Sequence, residues 1–349
     1  MTHAVSVVIP VFNAEKYFVE CFDSLLNQTF QDYEVVVVND CSTDSSRQIA
    51  ESYVEKFGER LRIFDNEKNL GPGGTRNKGL QVSRGEYVFF LDADDLILPD
   101  GLENLFRLAK TFDADVLNLT GCYIMSNDGQ ETILQPARKI AVEEPLIDVD
   151  KDWRMINLIR NNFRWAPWRK FTRRNFLIDN KLFFPEKIRR AEDVMWTHAV
   201  WFFAKKIVHV PLAIYFHRKA LPGERGDRSL YSEVKFRTVT IVHAVEWLNK
   251  IINRSPFFEA NPQYRYPMIK HIAERFFMII LRLVPAISSA ELYDLLREEF
   301  EKNSAAYNPA DVLPVLCTLM VEYQKRMLKN VTDDDRRKLK KFLKQEKKS

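Results

Sequence analysis

Short, nearly continuous apolar runs alternate with helically spaced segments through the first 120 residues of the chain. The continuous runs lie at residues 5–11, 35–38, 61–64 and 87–91. Residues 14–28 carry apolar side chains at helical spacing instead, which predicts a helix. Continuous apolar runs are typical of parallel strands that are covered on both faces. Their alternation with helices predicts an α/β fold with a Rossmann-like, mostly parallel sheet and flanking helices.

The last third of the chain shows helical spacing. Val242, Val245 and Leu248 mark one face of an amphipathic helix. Further helices are predicted at residues 269–283, 289–303 and 310–328. We therefore predict two halves of one α/β domain, followed by a C-terminal α-helical region, at residues 1–125, 126–228 and 229–349.

Composition and charge exclude several classes of protein. Of the 349 residues, 46% are hydrophobic, which is enough for a large core and too much for a disordered chain. The net charge of +4 provides no strong field for nucleic acid, so no nucleic-acid partner is expected. The four cysteines are far apart, which argues against a zinc site or a disulfide framework and fits a cytoplasmic protein. We find no secretory signal and no apolar run of about 18 residues.

Three carboxylates directly follow the fourth apolar run. Asp92, Asp94 and Asp95 come after the strand predicted at 87–91, and ligands bind at the carboxyl ends of strands in open α/β sheets. Carboxylates so close together repel each other unless a cation neutralises them, and hard oxygen ligands favour Mg²⁺ or Mn²⁺. The alternative is a solvated turn, because Asp is common in turns and helix caps.

Two phosphate-binding motifs are missing. A dinucleotide-binding Rossmann domain needs G-x-G-x-x-G after its first strand, whereas Pro10-Val-Phe-Asn13 follows here. A Walker P-loop, G-x-x-x-x-G-K-[ST], is also missing from the sequence. A phosphate-bearing ligand is therefore expected to be held by metal rather than by a glycine-rich loop.

Five segments resemble family 2 glycosyltransferases, in the order and spacing of that family. They are VSVVIPVFN at 5–13, VVVNDCSTD at 36–44, NLGPGGTRN at 69–77, GEYVFFLDADD at 85–95 and FPEKIRRAEDV at 184–194. The resemblance covers about residues 3–220 and implies a GT-A fold and an inverting, bacterial surface-polysaccharide type of enzyme. Cys41 departs from the family, which usually has glycine there, and we expect a shifted loop. The chain lacks the Q-x-x-R-W motif of processive synthases.

The resemblance implies a nucleotide-sugar site that binds a metal through Asp94. The implied donor-binding residues are Pro10, Val11, Phe12, Asn13, Asp40, Arg76, Asp92, Asp95, His217 and Arg218. Phe12 would stack on the nucleobase and Asp40 would accept a hydrogen bond from the uracil N–H. The alternatives are a core-filling role for Phe12 and a helix-entry role for Asp40.

The remaining implied contacts lie at the diphosphate. Arg76 would lie near the diphosphate or the acids, and its alternative is a surface salt bridge. Asp92 would contact the ribose or the sugar, and Asp95 the metal or the sugar. His217 or Arg218 would meet the diphosphate or the metal, although a lone histidine is more often structural.

Asp193 is the candidate catalytic base. The resemblance implies that its carboxylate takes the proton of the acceptor hydroxyl, with Glu192 as an orienting neighbour. The alternative is helix capping, because the pair precedes an apolar helical segment and acids stabilise a helix N-terminus.

The sequence thus predicts an inverting glycosyltransferase that depends on Mn²⁺ or Mg²⁺. Its partners would be a nucleotide-sugar donor, with UDP as the expected nucleotide, and a glycan or lipid-linked oligosaccharide acceptor. A nucleotidyltransferase and a catalytically silent nucleotide- or sugar-binding protein are the alternatives. The basic segment at 336–348 predicts weak, salt-sensitive contact with an anionic membrane surface, so a peripheral position at the inner face of the cell membrane is expected.

Overall fold

The computed structural model describes residues 3–125, 132–136, 142–219 and 230–280, with single positions at 294, 297, 298 and 321. The chain divides into two compact units, Met1–Arg225 and Gly226–Ser349. The basic segment lies outside the described residues, as do the helices expected at 289–303 and 310–328 apart from those single positions.

The strands of the described residues are β1 Val5–Val11, β2 Tyr33–Asn39, β3 Leu61–Asp65, β4 Tyr87–Phe90, β5 Leu96–Ile97, β6 Val116–Leu119, β7 Gly121–Met125, β8 Thr132–Pro136, β9 Leu146–Asp148, β10 Lys170–Arg173, β11 Ile207–Val210 and β12 Tyr215–Arg218. The helices are α1 Phe18–Leu26, α2 Ser46–Ser52, α3 Val54–Phe57, α4 Gly71–Val82, α5 Gly101–Phe112, α6 Lys151–Ile159, α7 Arg174–Asp179, α8 Glu192–Phe203, α9 Leu230–Asn253, α10 Pro256–Ala260 and α11 Arg265–Ile280.

The larger sheet has the strand order β3-β2-β1-β4-β10-β6-β11-β9. Strands β1 to β4 pair in parallel, as does β6 with β11. The predicted α/β fold with a mostly parallel sheet is therefore confirmed. Two strands run the other way. β10 is antiparallel to both β4 and β6, and β9 is antiparallel to β11 at the edge.

The carboxyl ends of β1, β2 and β4 meet at one edge of the sheet. The N–H of Asp40 donates to Val11 O over 2.8 Å, and the N–H of Leu91 donates to Val8 O over 3.0 Å. Helix α4 lies close against this part of the sheet. A Cβ added at Gly79 would clash with Val8 Cγ1. Only glycine permits this approach.

A smaller sheet supports the chain that follows β4. Its order is β5-β12-β7-β8, and Tyr215 of β12 lies opposite Ile97 of β5. Since β5 begins one residue after Asp95, this pairing brings Tyr215–Arg218 next to the acidic segment.

The second unit contains the C-terminal helical region that the sequence predicts. Helices α9 and α11 pack against each other, and Val242, Val245 and Leu248 of α9 are buried with Ile269 and Ile272 of α11. Among the helices of the described residues, none is long and apolar enough to cross a bilayer.

Cys41, the departure from the family pattern, occupies a left-handed backbone conformation. Its φ is 62°, directly after the buried Asp40 at the end of β2, and its Sγ lies 3.3 Å from Asn66 O. A residue with a Cβ pays about 1–2 kcal/mol in this region, and glycine does not. The backbone of this loop therefore retains a conformation that glycine favours.

Two variants isolate this backbone cost. Cys41→Gly and Cys41→Ala both remove the thiol, but only glycine relieves the left-handed conformation. We expect Cys41→Gly to exceed Cys41→Ala by about 1 kcal/mol in free energy of unfolding, measured by denaturant titration. Equal stability, or a more stable alanine variant, would contradict the proposed strain.

Candidate active site

An open cleft of about 680 Å³ lies at the carboxyl ends of β1, β2 and β4. It is lined by eight of the residues expected from the sequence: Pro10, Val11, Phe12, Asn13, Asp40, Arg76, Asp92 and Asp94. These residues come from four segments, which the parallel strand order brings to one edge of the sheet. The roles that the resemblance implies for them stay predictions.

Phe12 extends into the cleft rather than into the core. Its side chain is 53% exposed at the end of β1, so the core-filling alternative is wrong. The next residue, Asn13, has φ of 50° and accepts a 2.8 Å hydrogen bond from the N–H of Thr43. The loop after β1 is thus tied to the loop after β2, and an aromatic face remains open to a flat ligand.

Asp40 combines a structural role with a position in the cleft wall. Its Oδ1 accepts from Asn66 Nδ2 and from the N–H of Leu70, both over 2.7 Å, and its Oδ2 accepts from the N–H of Gly71 over 2.9 Å. The carboxylate therefore satisfies backbone donors at the start of α4, as the helix-entry alternative holds. Each carboxylate oxygen has two acceptor positions, so Oδ2 can also accept from a ligand.

Arg76 connects the acidic segment after β4 to the first turn of α8. Its Nη2 donates to Asp92 Oδ1 over 2.7 Å, and its Nη1 donates to Glu192 Oε1 over 3.0 Å. Burial alone would lower the pKa of this guanidinium, but the charges of Asp92 and Glu192 outweigh burial and raise it. Arg76 is only 6% exposed, so the surface salt-bridge alternative is wrong.

Asp94 is the most exposed carboxylate of the acidic segment and lines the cleft together with the partly exposed Asp92. Solvent reaches one side of Asp94, but the surrounding protein buries the other. This burial, together with the charges of Asp95 and Asp92, raises its pKa to about 7. A cation at Asp94 would relieve this crowding of negative charge.

Asp95 lies beneath the cleft and is fully buried. Its Oδ1 accepts from the N–H of Arg218 over 2.7 Å. Its Oδ2 accepts from Tyr215 Oη over 2.6 Å and lies 3.2 Å from His217 Nδ1. Burial raises the pKa of Asp95. Burial alone would lower the pKa of His217, but its hydrogen bond to Asp95 and the charges of the three acids together outweigh burial and raise it. The structure thus separates Asp95 from Asp94, although they are adjacent in sequence.

Arg218 is also held beneath the acidic segment. Its Nε donates to Asp94 O over 3.0 Å, and its Nη2 donates to Glu20 Oε2 over 2.6 Å. Neither Arg218 nor His217 is among the cleft-lining residues.

Asp193 lies in the first turn of α8, half-buried, next to the Glu192 carboxylate that binds Arg76. It is not among the cleft-lining residues. The N-cap of α8 is Ala191, with φ of 65°, so Asp193 is a first-turn acid rather than the cap. Its Oδ1 accepts from the N–H of Val194 over 2.8 Å. Lys170 lies near this turn. Burial lowers the pKa of its amine, and the charge of Asp193 opposes that shift.

Sequence reasoning missed several residues of the cleft, among them Lys16, Tyr17 and Arg189. Arg189 donates to Asn69 Oδ1 over 3.2 Å and to Asn69 O over 3.0 Å, which joins the segment before α8 to the loop before α4. Its place just before the Glu192-Asp193 pair was the signal that could have identified it.

The donor set fits a divalent cation only together with a ligand. Among the described residues, no three His, Cys, Asp or Glu side chains lie close enough to hold a metal ion alone. Asp94 supplies a hard oxygen, and Mg²⁺ commonly binds through one or two carboxylates plus substrate phosphates.

The sequence model of Glycosyl transferase family 2 matches residues 6–184, more than half of the chain. The chain belongs to glycosyltransferase family 2. This family 2 glycosyltransferase is 33% identical to EpsH of Bacillus subtilis (strain 168) over 66% of its own length and 65% of EpsH. It is 32% identical to the poly(ribitol-phosphate) beta-N-acetylglucosaminyltransferase TarS of Staphylococcus aureus (strain MW2), over 70% of this chain and 40% of TarS.

A solved structure shows the same architecture. The crystal structure of S. aureus TarS 1-349 in complex with UDP-GlcNAc matches with a TM-score of 0.56 and 26% identity, over 87% of this chain and 92% of that chain. The GT-A fold expected for this family 2 glycosyltransferase is therefore confirmed. Its family membership favours a glycosyltransferase over the nucleotidyltransferase and silent-binding alternatives.

The buried Glu192 makes the stability of this glycosyltransferase depend on pH. Burial raises its pKa from 4.5 to about 7, with Arg76 opposing. Between those values the folded protein holds a proton that the unfolded chain releases, so the free energy of unfolding falls as pH rises from 4.5 to about 7.

Glu192→Gln removes this titration but keeps an acceptor for Arg76. We expect the stability of the variant relative to wild type to increase between pH 5 and pH 8. Denaturant titrations at both pH values measure the difference. A constant offset between the two proteins would show that Glu192 does not titrate in this range.

Proposed function

We propose that this enzyme transfers a sugar from a UDP-sugar to a hydroxyl group of a glycan or lipid-linked acceptor in polysaccharide biosynthesis. The transfer inverts the anomeric carbon and requires Mn²⁺ or Mg²⁺. The observation that carries the proposal is that Phe12, Asp40, Asp92 and Asp94 line one cleft at the carboxyl ends of three neighbouring strands.

The relatives support the donor class. TarS is named a poly(ribitol-phosphate) beta-N-acetylglucosaminyltransferase, and its residues 1–349 have been crystallised with UDP and with UDP-GlcNAc. The chain spans 65% of EpsH and 40% of TarS.

The two ends of the cleft suit the two ends of a UDP-sugar. At one end, the exposed ring of Phe12 offers a stacking face and Asp40 offers an acceptor for the uracil N–H. At the other end, Asp92 is held by Arg76 and presents a partly exposed carboxylate to a ribose or sugar hydroxyl. Pro10, Val11 and Asn13 complete the wall on the nucleobase side.

Asp94 would hold the divalent cation. When bound, such a cation neutralises the charge that develops on the leaving diphosphate. The chain contributes an exposed carboxylate whose backbone is fixed, because Arg218 donates to Asp94 O. His217 lies behind it on Asp95, with its ring 41% exposed.

Asp193 would accept the proton of the attacking hydroxyl. One-step displacement needs a base and no enzyme nucleophile, because the acceptor oxygen attacks the anomeric carbon as the diphosphate leaves. Glu192 holds Arg76, which in turn holds Asp92. This chain of contacts connects the first turn of α8 to the wall of the donor cleft.

Calorimetry of UDP binding tests the metal site. We expect wild-type protein to bind UDP more tightly with Mn²⁺ than with EDTA, and Asp94→Ala to remove most of that difference. Asp179→Ala is the control, because Asp179 is an exposed carboxylate at the end of α7. Equal wild-type affinity in Mn²⁺ and in EDTA would refute metal-dependent binding.

The substitution Asp193→Asn separates the base from a structural acid. We expect transfer to fall by about 10²–10⁴-fold while UDP affinity in Mn²⁺ stays near wild type, since asparagine keeps the shape but loses the proton acceptor. UDP release during turnover and calorimetry measure the two effects.

Asp152→Asn is the matched control, because Asp152 holds the same second position of helix α6 and is exposed. Its transfer rate should match wild type. Near-normal transfer by Asp193→Asn would reject the base assignment.

A further inference from the structure

Tyr215 lies directly beneath the acidic segment, and neither the family motifs nor the proposed mechanism uses it. It is fully buried at the start of β12. Its hydroxyl donates to Asp95 Oδ2 over 2.6 Å and accepts from the N–H of Asp92 over 3.2 Å. One hydroxyl therefore binds the first and the last acid of the segment at once.

The hydroxyl is fixed as a donor to Asp95. Burial and the charge of Asp95 raise the pKa of Tyr215 well above its usual value, so the phenol keeps its proton. The ring is fixed as well, because Trp168 stacks on it with ring centroids 4.2 Å apart and an angle of 7°. Trp168 also stacks on His217 at 5.4 Å.

The contacts of the segment leave Asp94 as its most exposed acid, while Asp92 is only partly exposed at the cleft. Asp92 is held by Arg76 through its side chain and by Tyr215 through its backbone. Asp95 is directed inward, with acceptor positions used by Tyr215 and by the N–H of Arg218. Without the Tyr215 hydroxyl, the buried Asp95 carboxylate would lose one of its hydrogen-bond donors. This loss favours a different conformation of the Asp92–Asp95 turn, in which Asp95 is hydrated.

We propose that Tyr215 is a positioning residue that orients the Asp92–Asp95 turn, so that Asp94 alone faces the divalent cation and the donor diphosphate. This inference rests on the proposed function, because it assigns Tyr215 to the metal-dependent part of donor binding. Groups that orient a metal ligand typically change metal affinity or activity about 10–100-fold when removed.

The test compares UDP affinity in Mn²⁺ with UDP affinity in EDTA for wild type and for Tyr215→Phe. Phenylalanine keeps the ring on Trp168 and removes only the hydroxyl. We expect the ratio of the two affinities to fall about 10–100-fold, with affinity in EDTA near wild type. A general loss of stability would weaken both affinities or neither, and would leave the ratio unchanged.

Tyr33→Phe is the matched control. Tyr33 is also fully buried, but its hydroxyl donates to Leu25 O over 2.7 Å in the interior. It should lose stability to a similar extent and keep the wild-type ratio. If Tyr33→Phe lowers the ratio as much as Tyr215→Phe, the specific role of Tyr215 is overturned.

A double-mutant cycle with Asp95→Asn gives a second readout. If Tyr215 acts through Asp95, the double variant should have the same ratio as Asp95→Asn alone, because the shared contact is already lost. If the effects of Tyr215→Phe and Asp95→Asn on this ratio multiply in the double variant, the inference is overturned.

The wild-type protein separates the two proposals. A wild-type protein without metal dependence overturns the proposed metal site and this inference with it. Metal dependence in wild type that Tyr215→Phe leaves intact overturns the inference alone.

Discussion

The cleft that we propose for the donor depends on placing three carboxylates, which occur within four residues of chain, in different environments. Asp92, Asp94 and Asp95 would repel each other if they shared one environment. The fold gives each a different partner, since Arg76 binds Asp92 and β12 binds Asp95. Asp94 is the most exposed of the three acids, and burial, together with the charges of Asp95 and Asp92, raises its pKa to about 7. This division is why we propose Asp94 as the carboxylate that holds a cation.

Arg76 extends the same constraint to the start of α8. Its two hydrogen bonds join the end of β4 to the first turn of α8, across 116 residues of sequence from Arg76 to Glu192. Removing the guanidinium would leave the buried Glu192 unpaired, and breaking a buried ion pair costs about 3–5 kcal/mol. The position of Asp193 relative to the donor cleft therefore rests on a contact that also orients Asp92.

The sequence predicts the strands well because each is a local pattern. The apolar runs at 5–11, 35–38, 61–64 and 87–91 correspond to β1 to β4 within about two residues at each end. Strand pairing is not local. β10 runs antiparallel between β4 and β6, with Phe171 in register with both Phe89 and Leu117. No periodicity in the sequence reveals that partnership.

The same limit applies to the site. Family motifs predicted eight of the cleft-lining residues. Asp94 and Asp95, however, look alike in sequence. They differ because β12, more than a hundred residues later, supplies Tyr215 and the Arg218 N–H to only one of them. Burial of Asp95 and the role of Tyr215 follow from this tertiary contact. Cys41 is a second example of this limit. Its residue type does not reveal that its backbone adopts a left-handed conformation, which glycine favours.

The most direct test of this account is a crystal structure of the wild-type protein with UDP and Mn²⁺. The account predicts a carboxylate oxygen of Asp94 and oxygens of the diphosphate on the metal, with Asp95 still bonded to Tyr215 and Asp92 still bonded to Arg76. A metal bound by Asp95, or by Asp92 released from Arg76, with Asp94 turned away from the ion, would contradict the division of the three carboxylates.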